Sequence, residues 1–183
     1  FGFMAFRPGP GLGGHCLPVD PHYLAWKLRS HNVTSQFIEV ACSVNSRMPE
    51  HVVSVIVEAL NDRYRAMRGS AILVLGVSYK RGVADVRESP ALEVIQRLGE
   101  LGARVVFHDP LVAELSIRGK RLERVELSGA VLEAADCVVI VTDHEELDRD
   151  LILHHARSIV DTRDATADAR ARHPQLAQKV YLI

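Results

Sequence analysis

The sequence predicts an α/β protein, a helical segment followed by a doubly wound parallel sheet, and three features of the 183-residue chain predict it. Ala71-Ile72-Leu73-Val74-Leu75-Gly76-Val77 is a continuous apolar run, the pattern of a central parallel strand buried on both faces. Beyond it, strand-like apolar runs alternate with helical patterns, which puts helices on the crossovers between parallel strands. Before it, apolar residues recur at three- and four-residue intervals, the helical period. The polar, basic residues 61–69 lie between the two regimes and read as a hinge, dividing the chain into residues 1–68 and 69–183.

In the first part, Asp20-Pro21 reads as a helix start, with Asp20 as N-cap and Pro21 at the first helical position. Tyr23, Leu24, Trp26 and Leu28 give that helix its apolar side up to Arg29. Phe37, Val40, Ala41, Val44 and Met48 then fall on one helical face, and Val52, Val53, Ile56, Val57 and Leu60 resume the pattern. Pro49 between them is expected to break or bend the run, since it lacks an amide donor and crowds the preceding turn. Such a stripe needs a partner surface, either the chain's own fold or another molecule.

In the second part, Ser89-Pro90 caps a helix with Leu92, Ile95, Leu98 and Leu101 on one face and Gly102 at its end. Residues 104–110 read as the next strand and its stop, 130–135 as helix, 136–142 as a buried strand, 145–153 as helix and 158–161 as a short strand. Residues 163–178, rich in Ala and Arg, read as helical or loosely ordered, and 180–183 as an edge strand. Residues 111–129 carry no assigned element.

Composition narrows the function. A net charge of −1 with 25% charged residues gives neither a nucleic-acid footprint nor a basic membrane-surface patch. Cys16, Cys42 and Cys137 are odd in number, far apart and without metal spacing, which favours a reducing cytoplasm over a disulfide scaffold. His154-His155 has no further ligands at metal spacing, so no metal site is expected. No apolar run spans a bilayer and no signal peptide is visible. Phe1 is not an initiator methionine, and the opening residues read as the tail of a longer chain.

The chemistry concentrates in Gly9-Pro10-Gly11-Leu12-Gly13-Gly14-His15-Cys16-Leu17-Pro18-Val19-Asp20-Pro21. Four glycines in six residues suit neither helix nor strand; they suit a loop that turns sharply or lies against a ligand. Cys16 follows them just before the expected helix N-terminus, where negative charge is favoured, so it is a candidate nucleophile. An isolated cysteine is, on the other hand, more often a small buried hydrophobe. Gly9, Gly11 and Gly14 also spell the dinucleotide fingerprint, but that pattern works only between a strand and a helix. Only six residues, Phe1 to Phe6, precede Arg7 here, no ribose-binding acid follows at the right distance, and Pro10 removes a cradling amide, so the match is rejected. A second loop, residues 78–90, follows the first strand at the sheet's ligand-binding edge. Lys80, Arg81 and Arg87 lie there beside a helix N-terminus, which fits an anion site, although such a charge cluster is more often a solvated basic loop.

The first of these stretches, from Gly13 to Leu24, resembles the active-site loop of the UDP-glucose/GDP-mannose dehydrogenase family. With His15 before the cysteine and Val19 before the aspartate, it is most similar to the branch that oxidises UDP-N-acetylhexosamines. Tyr79-Lys80 followed by Asp85-Val86-Arg87-Glu88-Ser89-Pro90 is similar to a second signature, in the family's C-terminal nucleotide-sugar domain, and Asp161-Thr162-Arg163 to a short third one. The resemblance covers nearly the whole chain. It implies that residues 1–68 are the active-site loop and part of the central helical, dimer-forming domain, and that 69–183 are a Rossmann-like UDP-sugar-binding domain.

The resemblance also implies site residues. Cys16 is then the nucleophile and Asp20 orients or activates water or the thiol. Arg7, Gly9, Gly11, Gly13, Tyr79, Lys80 and Arg163 contact the UDP-sugar, and Arg87 reaches NAD. The implied reaction is oxidation of a primary alcohol to a uronic acid by two hydride transfers to two NAD molecules, with a thiohemiacetal and a thioester on the cysteine, for surface polysaccharide precursors. The family's NAD-binding domain and other catalytic residues lie upstream of this stretch, so the chain alone is expected not to oxidise substrate. A non-catalytic UDP-sugar-binding module and a dimerisation element are the other classes the residues fit.

Overall fold

In the computed structural model Gly2 and residues 8–183 are described. The first helix, α1 (Cys16–Arg29), begins at Cys16 and not at Pro21. Asp20 is therefore not its N-cap; His15 holds that position without a side-chain cap bond, and the Val19 amide donates to the His15 carbonyl. The early start is tolerable because Pro18 falls at the third helical position, where the amide has no intrahelical partner in any case. Pro21 costs one bond inside the helix.

The second helix, α2 (Gln36–Asn61), runs on through Pro49, so the expected break does not occur. Its two halves differ in what they meet. Val52, Val53, Ile56, Ala59 and Leu60 are buried in the core of the sheet, whereas Phe37, Val40 and Val44 on the same stripe are exposed, Phe37 at 92%. Packing of the second half against the sheet outweighs the single hydrogen bond that Pro49 removes.

Strands and helices then alternate as the apolar runs predict. They are β1 (Ala71–Leu75), α3 (Pro90–Glu100), β2 (Arg104–His108), β3 (Leu115–Ile117), β4 (Lys120–Leu122), α4 (Gly129–Ala134), β5 (Cys137–Ile140), α5 (Arg149–His155), β6 (Ile159–Asp161), α6 (Ala167–Arg172), a 3-10 turn (Pro174–Lys179) and β7 (Val180–Leu182). The main sheet is parallel throughout, in the order β2-β1-β5-β6-β7. Alternation along each strand divides its core in two. Ile72, Val74, Cys137 and Val139 face α2 and α3, while Leu73, Leu75, Val138 and Ile140 face the α4–α5 side.

The cap expected at Ser89 is present. Ser89 accepts from the Ala91 amide at the head of α3, and Asp148 from the Leu151 amide at the head of α5, which starts later than the apolar spacing suggests. The β3–β4 hairpin is the element the sequence does not announce. Its strands are too short to show a period of two, and its turn puts Arg118 and Gly119 at positive φ, where Asn-Gly or Asp-Gly would have been the usual signal.

Candidate active-site loop and nucleotide-sugar surface

The strand order reverses between β1 and β5: the chain leaves β1 for β2 on one side and returns to β5 on the other. The carboxyl ends of these two strands therefore open the crevice where a sheet of this kind receives a ligand. At that end the chain leaves β1 through Gly76, whose φ of +76° is open to glycine and strained for other residues. A methyl group there would also meet the Thr142 backbone after β5, with the Thr142 Cβ 2.6 Å away. Val77 and Ser78 remain fully buried, Tyr79 is half-buried, and Lys80 and Arg81 emerge into solvent.

Asp109, fully buried at the end of β2, organises this crevice. One carboxylate oxygen accepts from the Val77 amide at 2.7 Å and the Ser78 amide at 3.3 Å, the other from the Leu111 and Val112 amides at 2.9 and 3.0 Å. His144 Nε2 lies 3.2 Å from the first oxygen. Burial pushes the Asp109 carboxyl up, but the His144 hydrogen bond and the amides of Val77 and Leu111 outweigh it and hold it down at about 2.

The glycine loop is seated on this surface. A Cβ at Gly13 would stand 2.7 Å from the Glu88 carbonyl and 2.8 Å from the Tyr79 Cβ, and one at Gly14 would stand 2.9 Å from the Tyr79 ring. Gly11 lies against Pro90 and Asn45, and Gly9 against the Arg163 guanidinium. The structure thus brings Gly9, Gly11, Gly13, Tyr79 and Arg163 together. Lys80 stays beside Tyr79, its ammonium 5.4 Å from the ring centroid. Cys16 and Asp20 are both exposed and one turn apart, hence on one face of α1. Arg87 is exposed and forks onto Asp85 with bonds of 2.6–3.0 Å, which hold the Asp85 carboxyl down at about 2. Arg7 lies outside the described residues.

Several residues of this surface escape sequence reasoning. Asn45 on α2 accepts from the Leu12 amide at 2.7 Å and so ties the glycine loop to the helix. Asp143 pairs with Arg81 and, at 3.5 Å, with Arg163. Asp109, Asp143 and His144 had one available signal: polar residues directly following buried strands, at the edge where ligands bind. A groove of about 600 Å³, lined by Gly11, Asn45, Glu88, Pro90 and Arg118 among others, reaches neither Lys80 nor Arg163.

Residues 73–168 match the UDP binding domain of the UDP-glucose/GDP-mannose dehydrogenase family, and residues 1–47 its central domain. The chain belongs to this family. Among family members, it is 38% identical over 141 residues to a UDP-N-acetyl-D-mannosamine dehydrogenase of Pyrococcus horikoshii, covering 76% of this chain and 30% of that protein. It is 32% identical over 163 residues to an NDP-N-acetyl-D-galactosaminuronic acid dehydrogenase of Ralstonia nicotianae, covering 86% and 36%. The solved structure of a UDP-D-ManNAc dehydrogenase from Pyrococcus horikoshii superposes with a TM-score of 0.72 at 32% identity over 90% of this chain and 38% of that one. The chain therefore spans about a third of the length of these nucleotide-sugar dehydrogenases. No helix among the described residues is long and apolar enough to cross a membrane, and the described residues hold no cluster of metal-ligating side chains.

Proposed function

We propose that this chain contributes the nucleophilic cysteine and the nucleotide-sugar-binding sheet of a dehydrogenase that oxidises C6 of a UDP-N-acetylhexosamine to the carboxylate. The observation that carries this reading is the seating of the glycine loop before Cys16 on Tyr79 and the 88–90 turn, which gives the nucleophile and the cationic loop one continuous surface. Lys80 and Arg163 meet the diphosphate as charge-assisted donors, and the close-packed glycines leave the loop backbone bare toward the sugar. Once C6 has become an aldehyde, the Cys16 sulfur adds to its carbon as a thiohemiacetal. Loss of a second hydride leaves a thioester, and water releases the carboxylate and the free thiol. Asp20, one turn along the same face, orients that water or takes its proton.

Two NAD molecules, bound in succession, would each accept one of the two hydrides. The residues that would hold NAD are few here: the loop after β1, residues 78–90, contains one glycine, Gly82, and so offers no phosphate cradle. Arg87 is the side chain this chain would offer to NAD, with its guanidinium held in place by Asp85. On this reading the chain by itself binds UDP-sugar without turning it over.

Calorimetric titration with UDP and then UDP-N-acetylglucosamine tests the site. Lys80→Ala is expected to weaken UDP binding tenfold or more, as removal of a charged hydrogen bond of about 1.5–3 kcal/mol does. Equal affinity in the two proteins would remove Lys80, and with it this placement of the diphosphate.

The exposed stripe of Phe37, Val40 and Val44 supports a homodimer through the helical segment, since a second copy would cover an apolar face the chain's own fold leaves bare. Light scattering is expected to give twice the 20.3 kDa chain mass, and Phe37→Asp to return it to the single-chain value. A wild-type monomer at high concentration would argue against this assembly.

A further inference from the structure

We propose that Thr142, Asp143 and His144, which follow β5 after Val141, are positioning residues that set the shape of the Ser78–Gly82 loop for the nucleotide-sugar; this rests on the function proposed above. All three side chains reach the same target. The Thr142 hydroxyl donates to the Ser78 carbonyl at 2.6 Å. Asp143 pairs with Arg81 of the loop and with Arg163 beside it. His144, fully buried, lies 2.9 Å from the Ser78 hydroxyl and takes the Gly82 amide on Nδ1 at 3.3 Å.

The network assigns the imidazole its form. Nδ1 accepts from the Gly82 amide, so the proton is on Nε2, where it is shared between the Asp109 carboxylate and the Ser78 hydroxyl oxygen. The Ser78 hydroxyl then spends its own proton on the Lys80 carbonyl at 3.0 Å. His144 thus holds the loop at both ends, at Ser78 and Gly82, and the Lys80 backbone is fixed between them. Gly76 makes this possible, because it alone admits the Thr142 backbone so close to β1.

Apolar residues replacing such a buried network as a whole would cost little stability, whereas loss of one member leaves its partners unpaired. A fully polar trio of Ser78, Asp109 and His144 instead fixes one loop geometry, since each member leaves a buried group unsatisfied if the loop shifts. Asp143 adds orientation: it pairs with Arg81 and Arg163 at once and so holds the two guanidiniums near one another, that of Arg163 against Gly9.

The test compares His144→Leu, His144→Gln and Thr142→Val with the wild-type chain and with Lys80→Ala. Hydrogen exchange reads the loop directly. His144→Leu is expected to speed exchange of the Gly82 and Ser78 amides at least tenfold while the β5 and β6 amides keep their protection. His144→Gln, whose amide supplies one acceptor and one donor, is expected to restore most of it. Thr142→Val keeps shape without the hydroxyl and is expected to loosen Ser78 alone. In UDP titration His144→Leu is expected to bind at least tenfold more weakly, with His144→Gln near wild type. Unchanged exchange at Gly82 in His144→Leu overturns the proposal. So does wild-type UDP affinity in His144→Leu when Lys80→Ala has weakened binding. Wild-type protein that does not bind UDP, or binds it regardless of Lys80, counts against the proposed site instead, and exchange then decides the positioning role by itself.

Discussion

Gly76→Ala is expected to destabilise the fold by about 2–5 kcal/mol, combining about 1–2 kcal/mol for a left-handed φ with about 1–3 kcal/mol for overpacking. The added methyl meets the carbonyl oxygen of Thr142 and stands 2.6 and 2.8 Å from its Cβ and carbonyl carbon. Those atoms belong to the exit of β5, whose pairing with β1 from Ile72–Cys137 to Leu75–Ile140 leaves the backbone no direction in which to yield. Relief would require the ends of the two central strands to part, exposing Val77 and Val141, both buried. Urea unfolding of the two proteins measures the difference, and a loss below about 1 kcal/mol would mean that the crevice floor is softer than the packing here implies.

Asp109→Asn is expected to cost about 3 kcal/mol, the scale of breaking one partner of a buried charged network. The carboxylate accepts from four backbone amides and from His144, and an asparagine must turn its NH2 group toward one of the two amide pairs. For a chain of this length the melting temperature should fall by about 6–12 °C. Acid makes a second, independent check. The Asp109 carboxyl is held at about 2 in the fold against an ordinary 3.8, so on acidification the unfolded chain takes up the proton first. Its contribution, about 2 kcal/mol, is therefore complete above about pH 4 and lost as the pH falls toward 2. The stability gap between wild type and Asp109→Asn should narrow over that interval; a gap that does not change with pH would contradict the role given to the carboxylate.

The layered fold was legible because parallel strands buried on both faces leave long apolar runs. Ala71 to Leu75 and Cys137 to Ile140 are unmistakable for that reason. The Ser89-Pro90 cap was legible because both residues act locally. Elements decided by distant contacts were not. The passage of α2 through Pro49 sets a local rule against packing that the sequence does not display, and the start of α1 at Cys16 is open because Pro18 falls where no intrahelical bond is lost. The β3–β4 hairpin hides behind an Arg-Gly turn. The same division runs through the site. Glycines crowded before Cys16 and cations after β1 stand out by composition, and the family resemblance drawn from them agrees with the family matches over residues 1–47 and 73–168. Asn45, Asp109 and His144 do not stand out. Each is one polar residue in an ordinary context until the fold supplies the amide or hydroxyl it meets.

Helix α2 is a rod of about 39 Å at 1.5 Å per residue, anchored in the sheet at one end and resting only on α1 and the glycine loop at the other. Its resistance to opening is therefore graded along its length. The last turns come apart only when the sheet itself unfolds, while the first turns are held by α1, through pairs such as Arg29–Glu39, and by their own hydrogen bonds. Pro49 marks the seam between the two regimes. The bond it would have made to the Asn45 carbonyl is already missing, so the leading segment can unravel up to that point without disturbing the turns packed on the sheet. Asn45 lies on the fragile side of this seam, and with it the anchor of Leu12. Fraying of one helix end thus removes the Asn45 anchor of Leu12, while the seat of Gly13 and Gly14 on Tyr79 remains.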